Sequence, residues 1–181
     1  MAYALGPDTQ VFVVGAGIMG AGIAQVAAQA GHAVRLFDTR EGAAASACGK
    51  LAATLDGLAA KGRLDAAEAK AIAARVVAAT SLDDAARAGV VVEAIVESLD
   101  AKRALFRDLE AIVGERAILA SNTSSISITA LARELRSPGR FVGMHFFNPV
   151  PLMKLVEVVS GLATDADVAA AIFELAKRWG K

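Results

Sequence analysis

One cysteine, Cys48, is all that the 181 residues contain. An internal disulfide framework is excluded, and a lone thiol fits a reducing compartment. An excess of charge of one sign is missing too, since 19 basic side chains meet 19 acidic ones. Without a basic field, nucleic acid is not an expected partner, and no run of like charges forms a tail. No uninterrupted apolar stretch reaches the length of a membrane span, so no membrane partner is expected. The opening MAYALGPDTQ lacks the basic-then-apolar order of a signal peptide. These absences predict a soluble, cytoplasmic protein. Linkers rich in Pro, Gly or Ser are absent, so residues 1–181 are read as one domain. Fixed-period repeats are absent as well, and the many alanines read as helix formers. No metal site is expected.

What is present is a globular composition, 55% hydrophobic and 21% charged, long enough to bury a core. QVFVVG (10–15) reads as a buried strand, and IMGAGIAQVAAQAG (18–31) as a helix closed by Gly31. AVRLFD (33–38) is a second strand. Residues 41–74 read as two helices broken near KGRLD (61–65). Further strands are predicted at 75–80, 90–96, 117–121, 140–147 and 154–161, with helices at 99–113, 126–135 and 165–180. Strands that are apolar nearly throughout, alternating with helices, imply a mainly parallel sheet covered on both faces. The fold class is doubly wound α/β, with a helical insertion after the second strand.

The first strand runs directly into G-A-G-I-M-G, with Gly15, Gly17 and Gly20 around Ile18 and Met19. A bare G-x-G-x-x-G is a weak signal. Here it follows a strand, opens a helix and is trailed 23 residues after Gly15 by Asp38, at the end of the second strand. Together these form a Rossmann-type dinucleotide fingerprint. Gly15 permits the tight turn, Gly17 admits the pyrophosphate, and Gly20 lets the helix approach the strand. The helix N-terminus offers unpaired N–H groups to the phosphates. Asp38 would accept the adenosine ribose hydroxyls and repel a 2′-phosphate, favouring NAD over NADP. Arg40 tempers that preference, because an arginine there can meet a phosphate.

The chain has two histidines. His145 stands in VGMHFFNPVP, on the sixth strand, near the carboxyl ends where ligands bind in such sheets. Glu157 falls twelve residues on, on a strand that could return antiparallel. A carboxylate beside an imidazole sets its tautomer and favours the protonated form, which suits general acid–base work. SNTSS (121–125) follows the fifth strand and offers hydroxyls and amides. His32, in the AGH turn, has no acidic neighbour in sequence and is expected to be solvated and without a role.

VVEAIVESLDAKRALF (91–106), ASNTSSISI (120–128) and GMHFFNPVPLMKLVEVV (143–159) occur in the order and spacing of one family. From about residue 9 onward the sequence resembles the L-3-hydroxyacyl-CoA dehydrogenases. The resemblance implies NAD-dependent oxidation of an L-3-hydroxyacyl-CoA to a 3-ketoacyl-CoA, with His145 and Glu157 as the catalytic pair. It implies that Ser124 touches the substrate 3-oxygen and the cofactor, and that Asn148 lies near the nicotinamide. Glu97 and Lys102 match positions at the nicotinamide ribose. The helical pair at 41–74 would grip the CoA moiety, with Lys50, Lys61 and Arg63 serving its phosphates. Family members carry a helical second domain that completes the substrate site and the dimer interface. By resemblance this chain is the amino-terminal part of such an enzyme, a homodimer in its full-length form. Acyl-chain length and pathway stay open, between fatty-acid β-oxidation, hydroxybutyryl-CoA metabolism and aromatic catabolism. L-gulonate 3-dehydrogenase and its lens-crystallin kin share the cofactor with a different substrate. Two other readings compete. Ser124, His145 and Glu157 could be written as a hydrolytic triad, which leaves the glycines and Asp38 unexplained and lacks a G-x-S-x-G elbow. A dinucleotide-binding module without turnover is the non-enzyme alternative.

Overall fold

The computed structural model describes residues 3–181; the first two residues of the N-terminal stretch lie outside it. Seven strands form one sheet: β1 (Val11–Val14), β2 (Val34–Phe37), β3 (Val76–Ala78), β4 (Val90–Glu93), β5 (Ile118–Ser121), β6 (Phe141–Phe146) and β7 (Val156–Val159). Among the described residues six α-helices accompany them: α1 (Ile18–Gln29), α2 (Ala43–Ala60), α3 (Ala66–Arg75), α4 (Leu99–Ile112), α5 (Ile128–Ala132) and α6 (Ala166–Arg178). The strand order is β3-β2-β1-β4-β5-β6-β7. Every pairing is parallel except β6 with β7. The doubly wound reading therefore holds, and its strand order reverses between β1 and β4, where such sheets bind ligands.

Residues one and three of β1, Val11 and Val13, pack into the core on one face with Ile23 of α1, Ile72 of α3 and Trp179. Residues two and four, Phe12 and Val14, pack on the other with Phe106, Leu109 and Phe141. This is the period-two alternation of a strand, with both faces buried. The long alanine-rich insertion folds as the hairpin α2–α3. Ala44, Ala47, Leu51 and Leu55 form its inward stripe at helical spacing, and Asp65 caps α3 by accepting from the N–H groups of Ala67 and Glu68.

Several boundaries differ from the reading above. β4 stops at Glu93 rather than residue 96, because its partner β1 ends at Val14 and the chain there turns at Gly15. Residues 94–96 instead line a cleft beside that turn. β7 shortens to the four residues that pair with β6. A 3-10 turn at Leu82–Arg87 carries no apolar period and was not legible; Asp84 holds it by accepting from the N–H groups of Thr80 and Ser81.

His32 is a correction. It is buried, 2% exposed, with Nδ1 at 2.9 Å from the Thr9 carbonyl and its ring edge-on to Trp179. Burial lowers its pKa, the Thr9 carbonyl opposes this, and the charge of Arg178 lowers it further. Its partners come from Thr9 and the end of α6, which local sequence cannot show. No helix among the described residues is long and apolar enough to cross a membrane.

Candidate functional site

The fingerprint turn closes as its residue types require. Gly15 has φ +105°, in the left-handed region, and a Cβ there would meet the Ala94 carbonyl oxygen at 2.4 Å. A Cβ on Gly20 would sit 1.7 Å from the carbonyl oxygen of Gly15. Helix and turn are therefore in backbone contact, as only glycine allows. Gly17 differs, since a Cβ there meets nothing within 4 Å. Gly17 is the N-cap of α1, and no side chain caps the helix or places an acid in its first turn. The N–H groups of the first turn, around the exposed Ile18 and the half-buried Met19, have no side-chain acceptor in front of them. An uncapped twelve-residue helix beneath an open glycine fits a pyrophosphate.

Beside the turn lies a cleft of about 700 Å³, lined by Gly15, Asp38, Thr39, Leu82, Ile95, Val96 and Leu105 among others. It has the apolar wall and acidic rim that an adenosine requires. Asp38 Oδ2 accepts the N–H of Ala16 at 2.8 Å, tying β2 to the turn. Arg40 folds back on the same carboxylate, with Nε at 3.0 Å from Oδ1 and Nη2 at 3.1 Å from Oδ2. That arginine, followed by the backbone N–H bonds from Arg40 and Ala16, outweighs burial and holds the Asp38 pKa at about 2. Arg40 is thus engaged with Asp38 in this structure, while its own side chain is 72% exposed.

At the other end, the antiparallel register sets His145 directly opposite Glu157. Nδ1 of His145 lies 2.7 Å from Oε2 of Glu157. A carboxylate accepts, so Nδ1 carries the hydrogen of this bond, and in the neutral imidazole the lone pair is then on Nε2. The histidine side chain is 17% exposed and its ring lies against Phe147, centroids 4.6 Å apart. Both residues line a hollow of about 260 Å³ with Thr123, Ser124, Ser125 and Val159. The structure brings His145, Glu157 and Ser124 together. Asn148 is exposed in the loop just beyond β6 and is not among the residues lining that hollow.

Between cleft and hollow runs a network that sequence reading saw only in part. Glu97, in the loop before α4, accepts from the hydroxyls of Thr123 (2.5 Å) and Ser125 (3.0 Å) and from the N–H groups of Ser124 and Ser125. Burial raises its pKa, but Thr123, the Lys102 charge and Ser125 outweigh that and hold it at about 2. Lys102 is not a solvated lysine. It is 1% exposed, with Nζ bonded to Glu93 and 3.3 Å from Glu97. Glu93, fully buried at the end of β4, also accepts from Ile95 N–H and from the Ser121 hydroxyl. Asn122 accepts the N–H of Phe146, joining this loop to the strand that bears His145. SNTSS (121–125) is legible as a stretch of hydroxyls and amides, but not the bonds that Ser121, Asn122, Thr123 and Ser125 make, and Glu93 lies outside it. Glu93 had a visible signal, a carboxylate ending the apolar run VVVE with a lysine nine positions on. Gly22 was missed too: a Cβ there would press 2.8 Å from Cβ of Val150, so α1 seats the loop leaving β6.

The predicted CoA lysines separate. Lys50 lines a groove of about 580 Å³ between α1 and α2, with Ile18, Arg40, Ser46 and Pro151. Lys61 ends α2, eleven residues beyond Lys50, which is about 16 Å along a helix. It is exposed at the hairpin turn with Arg63.

Taken together, the reversed strand order, the uncapped helix over an open glycine and the Asp38 carboxylate beside the turn define a dinucleotide-binding domain. Residues 10–181 match the family model "3-hydroxyacyl-CoA dehydrogenase, NAD binding domain", and the chain belongs to that family, whose cofactor is NAD. It is 46% identical over 171 residues to 3-hydroxyadipyl-CoA dehydrogenase of Escherichia coli K12, covering 94% of this chain and 36% of that protein. A probable 3-hydroxybutyryl-CoA dehydrogenase of Bacillus subtilis is 45% identical over 172 residues, covering 95% of this chain and 60% of that one. The crystal structure of 3-hydroxybutyryl-CoA dehydrogenase from Escherichia coli K12 superposes with TM-score 0.94 at 45% identity, covering 96% of this chain and 37% of that one. The chain thus spans between about a third and three fifths of these relatives' lengths.

Proposed function

We infer that this chain is the cofactor-binding and proton-transferring part of an NAD-dependent L-3-hydroxyacyl-CoA dehydrogenase. The observation that carries the reading is His145, oriented by Glu157, in the same hollow as Ser124 and at the carboxyl edge of an NAD-binding sheet. NAD, when bound, supplies the hydride acceptor. Nε2 of His145 takes the proton of the substrate 3-hydroxyl, and Glu157 Oε2 stabilises the imidazolium that results. The Ser124 hydroxyl orients the substrate oxygen without adding charge, and Glu97 holds the Ser124 backbone in place. Asp38 takes the adenosine ribose, and the α1 N-terminus takes the pyrophosphate. Glu97 and Lys102 lie on the path between cleft and hollow, with Lys102 acting through Glu97 rather than at the surface. Asn148 borders the nicotinamide from the loop after β6.

The substrate is an acyl-CoA, as the relatives' names supply. Lys50 and Arg40, both lining the α1–α2 groove, suit its phosphates better than Lys61 does. Leu152, Met153 and Leu155, exposed by 75%, 39% and 54%, form an apolar stretch just past the hollow. Exposed apolar groups in that density mark a contact surface, here for the helical domain that completes the site in a homodimer. The hydrolase reading loses ground, because Ser124 belongs to a loop anchored by Glu97 in a chain of an NAD-binding family.

The test is NADH production from L-3-hydroxybutyryl-CoA and from 3-hydroxyadipyl-CoA, by the chain alone and joined to the helical domain of a relative. Activity is expected from the joined form and little from the chain alone, since one wall of the crevice cannot orient substrate or exclude water. His145→Gln should cost on the order of 10²–10⁴ in kcat with NAD affinity retained. Near-normal turnover by that variant would overturn the assignment. NAD binding without turnover of either substrate in the joined form would support the non-catalytic module instead.

A further inference from the structure

Two carboxylates and one ammonium, Glu93, Glu97 and Lys102, sit beneath the loop that joins the cofactor cleft to the catalytic hollow. Their sum is one negative charge. Glu93 is 0% and Lys102 1% exposed, so solvent screens the group weakly from below. Glu97 alone reaches the surface, with its side chain 39% exposed. Its position is constrained from both sides. Ile95 and Val96, just before it in sequence, line the cleft; Thr123 and Ser125, bonded to its Oε1, line the hollow. A dinucleotide with its adenosine on Asp38 and its reacting ring at His145 must pass Glu97. Tying one loop to another requires hydrogen bonds, which neutral groups supply. The surplus charge is an additional feature and has an electrostatic consequence.

The two redox forms of NAD share the same phosphates and adenosine and differ by one positive charge on the nicotinamide ring. We propose that the net-negative Glu93–Lys102–Glu97 triad biases this domain toward the oxidised dinucleotide, making Glu97 a determinant of redox-form selectivity. The inference rests on the cofactor reading above. Comparing the two forms cancels every contact that they have in common, so their affinity ratio reports the field at the ring.

The experiment measures Kd for NAD⁺ and for NADH by calorimetry on the 181-residue chain, without any substrate. Glu97→Gln takes the triad from one negative charge to zero at similar shape. It should move the affinity ratio toward NADH by about fivefold, the size of one unit charge several ångströms away in partly screened surroundings. Glu93→Gln makes the same change from the buried side and should move the ratio in the same direction by roughly two- to fivefold. Ser125→Ala removes a hydrogen bond into Glu97 without altering charge. Both affinities should then weaken together, leaving the ratio within about twofold. A ratio unmoved in Glu97→Gln and Glu93→Gln, with both forms still bound, would overturn the charge bias and leave the cofactor reading standing. A Ser125→Ala shift as large as that of Glu97→Gln would overturn it in favour of loop geometry. Failure of the unsubstituted chain to bind either form would overturn the cofactor reading, and the bias with it.

Discussion

The two ends of the site are made of different material. At the cofactor end the contacts that matter are backbone: the turn at Gly15, the approach of Gly20 and the bare N-terminus of α1. At the end proposed for catalysis they are side chains, His145 and Glu157, held opposite one another by an antiparallel register. Backbone sites fail when volume is added, whereas side-chain sites fail when a charge or proton is removed. Substitutions at the first end should therefore be read as steric, and at the second as chemical.

The largest effect is expected where the two kinds of glycine are set against each other. Gly20→Ala forces a Cβ against a carbonyl, an overpacking that costs about 3 kcal/mol. For a domain of this size that is roughly 6–12 °C in Tm, and NAD binding should fall with it. Gly17→Ala adds the same methyl into open space, so Tm should hold within about 2 °C while NAD affinity drops tenfold or more, the methyl standing where the pyrophosphate approaches. Calorimetry paired with thermal melts separates these outcomes, and equal melting losses in both variants would erase the distinction.

Glu157→Gln tests the chemical end. In the form joined to a helical domain, turnover should fall on the order of 10- to 100-fold, less than for loss of His145 itself. NAD affinity and Tm should stay near their original values; a parallel loss of NAD binding would show that the pair supports the cofactor instead. Asp38→Ala is expected to do less, narrowing the preference for NAD over NADP by about tenfold. The variant loses a ribose acceptor and frees Arg40 to meet a 2′-phosphate. Titration with both cofactors checks it, and an unchanged preference would mean that Arg40 already governs the pocket.

The smallest effect lies away from both ends. Burial pushes the His32 pKa below the ordinary histidine value of 6.5. The unfolded chain therefore takes up a proton before the folded one does. The resulting stability is full above about pH 6.5 and is lost as pH falls from there toward the folded pKa. His32→Gln keeps a donor for the Thr9 carbonyl but cannot titrate, so its melts should show a shallower loss between about pH 7 and 5. An unchanged slope would assign that loss to other groups.

Local pattern was enough for the strand–helix alternation, the glycine turn with Asp38 beside it, and the facing of His145 and Glu157. Each is written in neighbouring residues or in a short repeat of residue types. Legibility ended where burial, which no local pattern sets, decides a side chain's surroundings. Lys102 reads as one more lysine on an amphipathic helix until it is buried against Glu93, which Ser121 also holds. His32 reads as a turn histidine until the end of α6 brings Trp179 against it. Lys50 and Lys61 look equivalent in composition, and only the length of α2 parts them.

What the sequence determined by itself is the chemistry available and the order of its parts: a glycine turn before a helix, an acid ending β2, a histidine and a glutamate twelve residues apart. Their types and spacings follow from local conformational preference, which acts between neighbours. The tertiary structure alone decided which charges lose their water and which of them face one another. Glu93, Glu97 and Lys102 are neighbours along the chain from β4 to α4, but it is the pairing of β4 between β1 and β5 that buries Glu93 and Lys102, and burial turns their juxtaposition into a field.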